Sequence, residues 1–113
     1  MISGAYVMIF TQEEAADRAF LRDVLELPCV GDGEHWLTFK LPPTELGVHS
    51  HAQNDLHQIY FICDDLDATI ANLAGKGVTC GEPQAASWGR STSVPLPGGG
   101  KVGVYEAHHA RAV

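Results

Sequence analysis

Basic side chains are scarce in this chain. Seven Lys and Arg stand against fourteen Asp and Glu in 113 residues, a formal charge of −7. A protein that grips a phosphate backbone needs a basic face, so nucleic acid and anionic membrane surfaces are excluded as partners. Cysteine is also sparse. Cys29, Cys63 and Cys80 form no CxxC pair, which argues against a disulfide framework and against a zinc ribbon. Three reduced thiols fit a cytoplasmic protein. No apolar run approaches the roughly 18 residues that span a bilayer, and residues 1–4 show no charged, apolar leader pattern, so neither a membrane span nor a signal peptide is expected.

What is present is the composition of a folded domain. Hydrophobic residues make up 45% and charged residues 19%, enough apolar surface to offset chain entropy. The length fits one domain. The acidity is uneven: residues 1–56 carry nine acids and three bases, and residues 57–113 carry five acids and four bases. Such a field favours cationic ligands.

The order of elements repeats. Residues 5–11 read as a strand, and residues 12–26 as a helix with Ala16, Phe20 and Val24 on one stripe beside Ala15 and Ala19. Thr11 is placed to cap that helix, and Pro28 ends it. Strands follow near 29–30, 36–41 and 45–50. The second half begins again with a strand at 57–63. A helix follows from a cap at Asp64 or Asp65 to about Lys76, with Leu66, Ile70 and Leu73 apolar and Gly77 as its stop. Strands are then expected near 78–80, with an extension toward 86, and at 91–96 and 101–106. Leu41-Pro42 through Leu46-Gly47-Val48 also mirrors Leu96-Pro97 through Val102-Gly103-Val104. The chain is thus predicted to be α+β, a single domain of two βαβββ modules at about 4–51 and 57–107.

Three segments carry a family resemblance. Phe20-Leu21-Arg22-Asp23-Val24-Leu25-Glu26-Leu27 is similar to an FYRDVLGL helix end. Cys63-Asp64-Asp65-Leu66-Asp67-Ala68-Thr69-Ile70 is similar to the strand-to-helix turn of the same family. Trp88-Gly89-Arg90 with Leu96-Pro97-Gly98-Gly99-Gly100 resembles its closing hairpin. In this order they resemble the vicinal oxygen chelate superfamily, the group of glyoxalase I, bleomycin-resistance proteins and extradiol dioxygenases. The resemblance covers essentially the whole chain. It implies curled mixed sheets around a shared cleft, helices on the outside and a homodimer. It does not imply one reaction.

Metal-dependent members of that group place ligands on the first and last strand of each module. The matching positions here are Tyr6, Gly47, Gln58 and Gly103. Glycine has no donor, and of the four only Gln58 offers a weak one, so no cofactor is expected. A divalent metal would need other ligands, such as His49, His51, His57 or Glu106.

Strand alternation sorts the faces. Val7, Ile9, Leu37, Phe39, Leu46, Val48, Ile59, Phe61, Val94, Leu96, Val102 and Val104 form an aliphatic set expected under the helices. The opposite set mixes aromatic and polar groups, as a ligand cleft does. Tyr6, Met8, Phe10, Trp36, Thr38, His49, Gln58, Tyr60, Trp88, Arg90 and Tyr105 are its candidate residues. Trp36, Tyr60 and Tyr105 are suited to stacking on a planar ligand or cation, or to burial in a core or dimer interface. Arg90 reads as an anion clamp or as half of a salt bridge. Gly47 and Gly103 either open the cleft or relieve strand packing. His49, His51 and His57 read as a metal cluster or a polar loop. Asp64, Asp65 and Asp67 read as helix-capping acids, Cys63 as a buried inert thiol, and His108 and His109 as solvated ends.

The expected function is therefore a metal-free small-molecule-binding protein holding an aromatic or cationic ligand, as bleomycin-resistance-like proteins hold a drug. The alternatives are a metal-dependent lyase or extradiol dioxygenase, and a protein-interaction module. Metal-free chemistry would draw on Tyr60, Tyr105, Gln58 and His49, with His49 as the acid–base group.

Overall fold

The computed structural model describes residues 6–31 and 37–112. The second half builds a four-stranded sheet from β3 (Tyr60–Cys63), β4 (Gln84–Ala86), β5 (Gly89–Pro95) and β6 (Lys101–Ala107), with helix α2 (Leu66–Gly75) following β3. The strand order is β3-β6-β5-β4. β3 runs parallel to β6, and the other pairs are antiparallel. A parallel pair needs a long crossover, and α2 lies within it.

α2 has both of its expected ends. Asp65 is the cap residue, its side chain accepting from the Ala68 amide. At the other end Gly77 takes φ +81. Its amide donates to Ala74 and the Val78 amide donates to Leu73, both near 3.0 Å. This is the Schellman arrangement, in which glycine escapes the Cβ clash of the left-handed region. Its hydrophobic pair, Leu73 and Val78, belongs to the core.

That core lies wholly in the second half: Leu66, Leu73, Val78, Val94, Leu96, Val102 and Val104. Ile9, Phe20, Val24, Ile59, Phe61 and Ile70 pack around it. The strand expected near 78–80 does not form. Only its extension pairs, as β4, while the Gly81 amide and carbonyl bind Ser93 and Thr92 on β5.

The first half departs further from expectation. Helix α1 is Glu14–Asp23, shorter than 12–26. Thr11 does not cap it; Glu13 occupies the cap position without a side-chain bond, and Thr11 Oγ1 accepts from the Glu13 amide. The inward stripe is Asp17, Phe20, Leu21 and Val24, while Ala15 and Ala16 face solvent. β1 (Cys29–Gly31) and β2 (Leu37–Phe39) form a two-stranded antiparallel hairpin. Residues 6–11 and 45–50 join no ladder. Of the expected core set, Val7, Leu46 and Val48 are therefore exposed, Leu46 at 94% and Val48 at 96%. Strand residues are buried by their neighbours across a sheet, and these segments have none among the described residues. The radius of gyration, 14.8 Å, exceeds the ~13 Å of a compact chain this long.

Candidate functional site

The register of the four-stranded sheet sorts its side chains onto two faces. Phe61, Cys63, Thr92, Val94, Val102, Val104 and Glu106 share the face that carries the core and α2. Tyr60, Gly103, Tyr105, Ser91 and Ser93 share the other. The aliphatic-versus-mixed division expected for this half is seen in the structure for these residues, with Arg90 the exception.

On the second face three aromatic rings meet. Tyr105 lies edge-on to Tyr60, with ring centroids 5.8 Å apart, and edge-on to Trp88 at 5.5 Å. Edge-to-face pairs add stability beyond their buried area because a positive ring edge meets a negative face. The Tyr60 hydroxyl donates to Gln58 Oε1 at 3.1 Å. Tyr60 remains 45% exposed and Trp88 42%, so the cluster presents ring surface rather than hiding it.

Gly103 explains how Tyr60 sits. The two residues are partners across the parallel ladder. A Cβ at Gly103 would collide with the Tyr60 ring. This glycine therefore accommodates the ring and leaves no open space there, which corrects the cleft-opening reading. Gly47 has nothing within 4 Å.

Four of the expected cleft residues are thus gathered: Gln58, Tyr60, Trp88 and Tyr105. The others are not. Tyr6, Met8 and Phe10 are exposed at 67%, 60% and 92% on backbone outside any ladder. Thr38 lies in β2, beside a shallow groove with Pro28, Val30 and Lys40. Trp36 lies outside the described residues. Arg90 sits on the helix-bearing face, forked against Asp67 of α2 at 3.1 and 3.4 Å. Alternation places it opposite Tyr105's face, and an acid in the first turn of α2 holds it there. It is half of a salt bridge and not an anion clamp in the cleft.

The histidines and acids also fall apart. His49 Nδ1 bonds the Ser50 carbonyl at 2.7 Å, and His51 Nδ1 accepts from the Gln53 amide at 3.0 Å. His57 is exposed. Glu106 turns to the helix-bearing face, where it accepts from the Leu66 amide at 3.0 Å and from His108 Nε2 at 2.9 Å. These two bonds, the one from His108 first, hold its carboxyl below the usual range. Glu106 is a helix-end acceptor, removed from Gly103 by strand parity. Among the described residues no three His, Cys, Asp or Glu side chains are grouped to hold a metal ion. Burial pushes the Cys63 and Cys80 thiols up, away from the reactive thiolate.

Three features escape the sequence reading. His109 is exposed, as expected, but it also stacks on Tyr105 at 5.9 Å and 24° between planes, with Nε2 3.3 Å from the Tyr105 hydroxyl. Arg111 Nε donates to Glu45 Oε1 at 2.9 Å. Asp17, 4% exposed, accepts from the Gly98 amide at 2.7 Å and so ties α1 to the glycine-rich β5–β6 turn. Its second oxygen has no partner among the described residues. Only Asp17 leaves a trace in the sequence, as an acid on the i, i+3, i+4, i+7 stripe with Phe20, Leu21 and Val24. The Arg111–Glu45 pair is long-range, and the His109–Tyr105 pair, four residues apart, depends on how the chain turns after β6.

No family model matches the chain, and no curated protein matches it. Solved structures do. TnmS3, an antibiotic binding protein from Streptomyces sp. CB03234, superposes with a TM-score of 0.62 at 20% identity, over 95% of this chain and 99% of that one. A lactoylglutathione lyase from Agrobacterium tumefaciens gives 0.63 at 17% identity, over 91% and 94%. A member of the glyoxalase/bleomycin resistance protein/dioxygenase superfamily from Sphaerobacter thermophilus gives 0.59 at 25% identity, over 90% and 97%. The chain therefore has the vicinal oxygen chelate fold of that superfamily.

Proposed function

We propose that this chain is a small-molecule-binding protein that works without a metal and holds an aromatic or cationic ligand against the Tyr60–Trp88–Tyr105 face. The observation that carries this reading is the Tyr60 ring lying over Gly103. The resemblance assigns Gly103 to one of the four ligand positions of the superfamily's metal enzymes, and here the Tyr60 ring takes the space of a side chain at that residue. The residues present do not fit a metal of that type: Gly47 and Gly103 have no donor, and Glu106 is committed to the far face of the sheet. Stacked rings with a few orienting hydroxyl and amide groups suit a flat organic molecule instead. The net charge of −7 favours a cation. Binding an antibiotic is the role of TnmS3, the neighbour at 20% identity, and drug sequestration is the corresponding proposal for this chain.

The working form is a homodimer. Phe10, Leu46 and Val48 are more than 90% exposed, and segments 6–11 and 45–50 lack ladder partners. A second copy that supplies neighbouring strands would bury these side chains, complete the first module and wall the aromatic face into a cleft. No helix among the described residues is long and apolar enough to cross a membrane, and three free cysteines fit a reducing, cytoplasmic setting.

The test is a titration of dialysed protein with flat aromatic probes, read by Trp88 fluorescence quenching, alongside elemental analysis and light scattering. Saturable quenching by a dimer without bound metal supports the proposal. Stoichiometric Fe, Mn, Ni or Zn that survives dialysis would overturn it in favour of the lyase or dioxygenase reading.

A further inference from the structure

The segment after β6 stacks His109 on one ring of the aromatic cluster and joins Arg111 to Glu45 of the 45–50 segment. It thus makes two side-chain contacts, and each reproduces a ligand-like interaction. His109 lays a flat ring on Tyr105, 24° from parallel. Two residues on, Arg111 places a guanidinium against Glu45 at 2.9 Å. Glu45 lies far away in sequence, and its side chain is only 19% exposed. Its carboxyl is held below the usual range by the Arg111 bond first, then by the Ala112 amide. A part-buried carboxylate that loses its partner is left unsatisfied, so whatever displaces Arg111 must bring a positive group of its own. A ring that displaces His109 must be flat to stack on Tyr105. The short chain between His109 and Arg111 fixes how far apart these two demands lie.

We infer that residues 108–112 form an internal strap occupying the binding face, and that the ligand displacing it is a planar organic cation, its ring on Tyr105 and its charge on Glu45. This rests on the aromatic-face reading above and adds the occupant's charge and a closing device. Glu45 is then a binding residue, and His109 and Arg111 compete with the ligand. A strap closed nine-tenths of the time weakens apparent affinity about tenfold.

The experiment uses proflavine as a flat cation, anthracene-2-sulfonate as a flat anion and anthracene-9-methanol as a neutral ring. Each is titrated into the wild-type chain, His109→Ala/Arg111→Ala, and that double variant carrying Glu45→Gln. The strap variant is expected to bind proflavine about tenfold tighter. Adding Glu45→Gln is expected to lose about tenfold, as for a charge-assisted contact, and the anion gains nothing from the strap variant. In the wild-type chain, proflavine is expected to shift the His109 ring-proton resonances out of the Tyr105 ring current. Equal or weaker proflavine binding by the strap variant would overturn the inference. So would an equal gain for the anion, or His109 resonances that stay put at saturation. If the neutral ring binds while strap and Glu45 changes have no effect, the aromatic-face reading stands and only the strap falls. If no probe binds any form, both fall.

Discussion

The Tyr60 ring lies over Gly103, its partner across the β3–β6 ladder, and takes the space a side chain there would need. Gly103→Ala should therefore push Tyr60 off its seat and disturb its edge contact with Tyr105. The expected loss is about 1–3 kcal/mol, the range of overpacking in a fitted site, seen as a lower urea midpoint with unchanged slope. Adding Tyr60→Ala should recover part of it, because the clash then has no second party. Additive losses would mean that ring and glycine are not coupled.

Arg90 faces α2 and not the aromatic surface. Arg90→Ala should leave the affinity for a flat aromatic probe unchanged and alter thermal stability only slightly, as expected for an exposed ion pair with Asp67. A large loss of probe affinity with a normal melting curve would return Arg90 to the ligand site.

The end of α1 carries a residue in an unfavourable conformation. Glu26 takes φ +57, where an L side chain meets the following carbonyl. Its ion pair with Lys76 is long, 3.6 Å, and exposed. Glu26→Gly should stabilise the chain by about 1 kcal/mol, read as a higher melting temperature. A lower one would show that the Lys76 contact outweighs the backbone strain.

How much of this was legible in sequence differs between the halves. In residues 57–107 the alternation, the Asp65 cap and the Gly77 stop each act through near neighbours. The faces and the ends of α2 follow from them; the strand order does not, because the parallel β3–β6 pair joins residues far apart in sequence. In the first half the same alternation is present at Val7, Ile9, Leu46 and Val48, but a strand exists only if another strand pairs with it, and the described residues supply none here. Alternation also placed Gln58, Tyr60 and Tyr105 on one face. Arg90 was expected with them, but it is in step with Val94 and out of step with Ser91 and Ser93 along β5, and that parity was the available clue to its role. The His109–Tyr105 stack and the Arg111–Glu45 pair depend on where the chain runs after β6, which no local pattern encodes.

Acid should weaken the helix-bearing face through Glu106. Its carboxyl sits below the ordinary value because His108 and the Leu66 amide donate to the ionised form. The stabilisation is therefore complete above the unfolded value, near about pH 4.3. It is lost as pH falls through the lower folded value. Urea midpoints measured from about pH 6 to about pH 3 should fall for the wild-type chain and fall less steeply for Glu106→Gln. Parallel curves would contradict the assignment of Glu106 to the helix end.

The central claim is metal-free binding on the aromatic face. Its most direct test is proflavine affinity before and after exhaustive EDTA dialysis, in the wild-type chain and in Tyr105→Ala. The predicted result is one affinity in both wild-type samples and a loss of about tenfold or more in Tyr105→Ala, the scale of a lost stacking contact. An affinity that disappears with EDTA and returns with added divalent metal, or one indifferent to Tyr105, would contradict it.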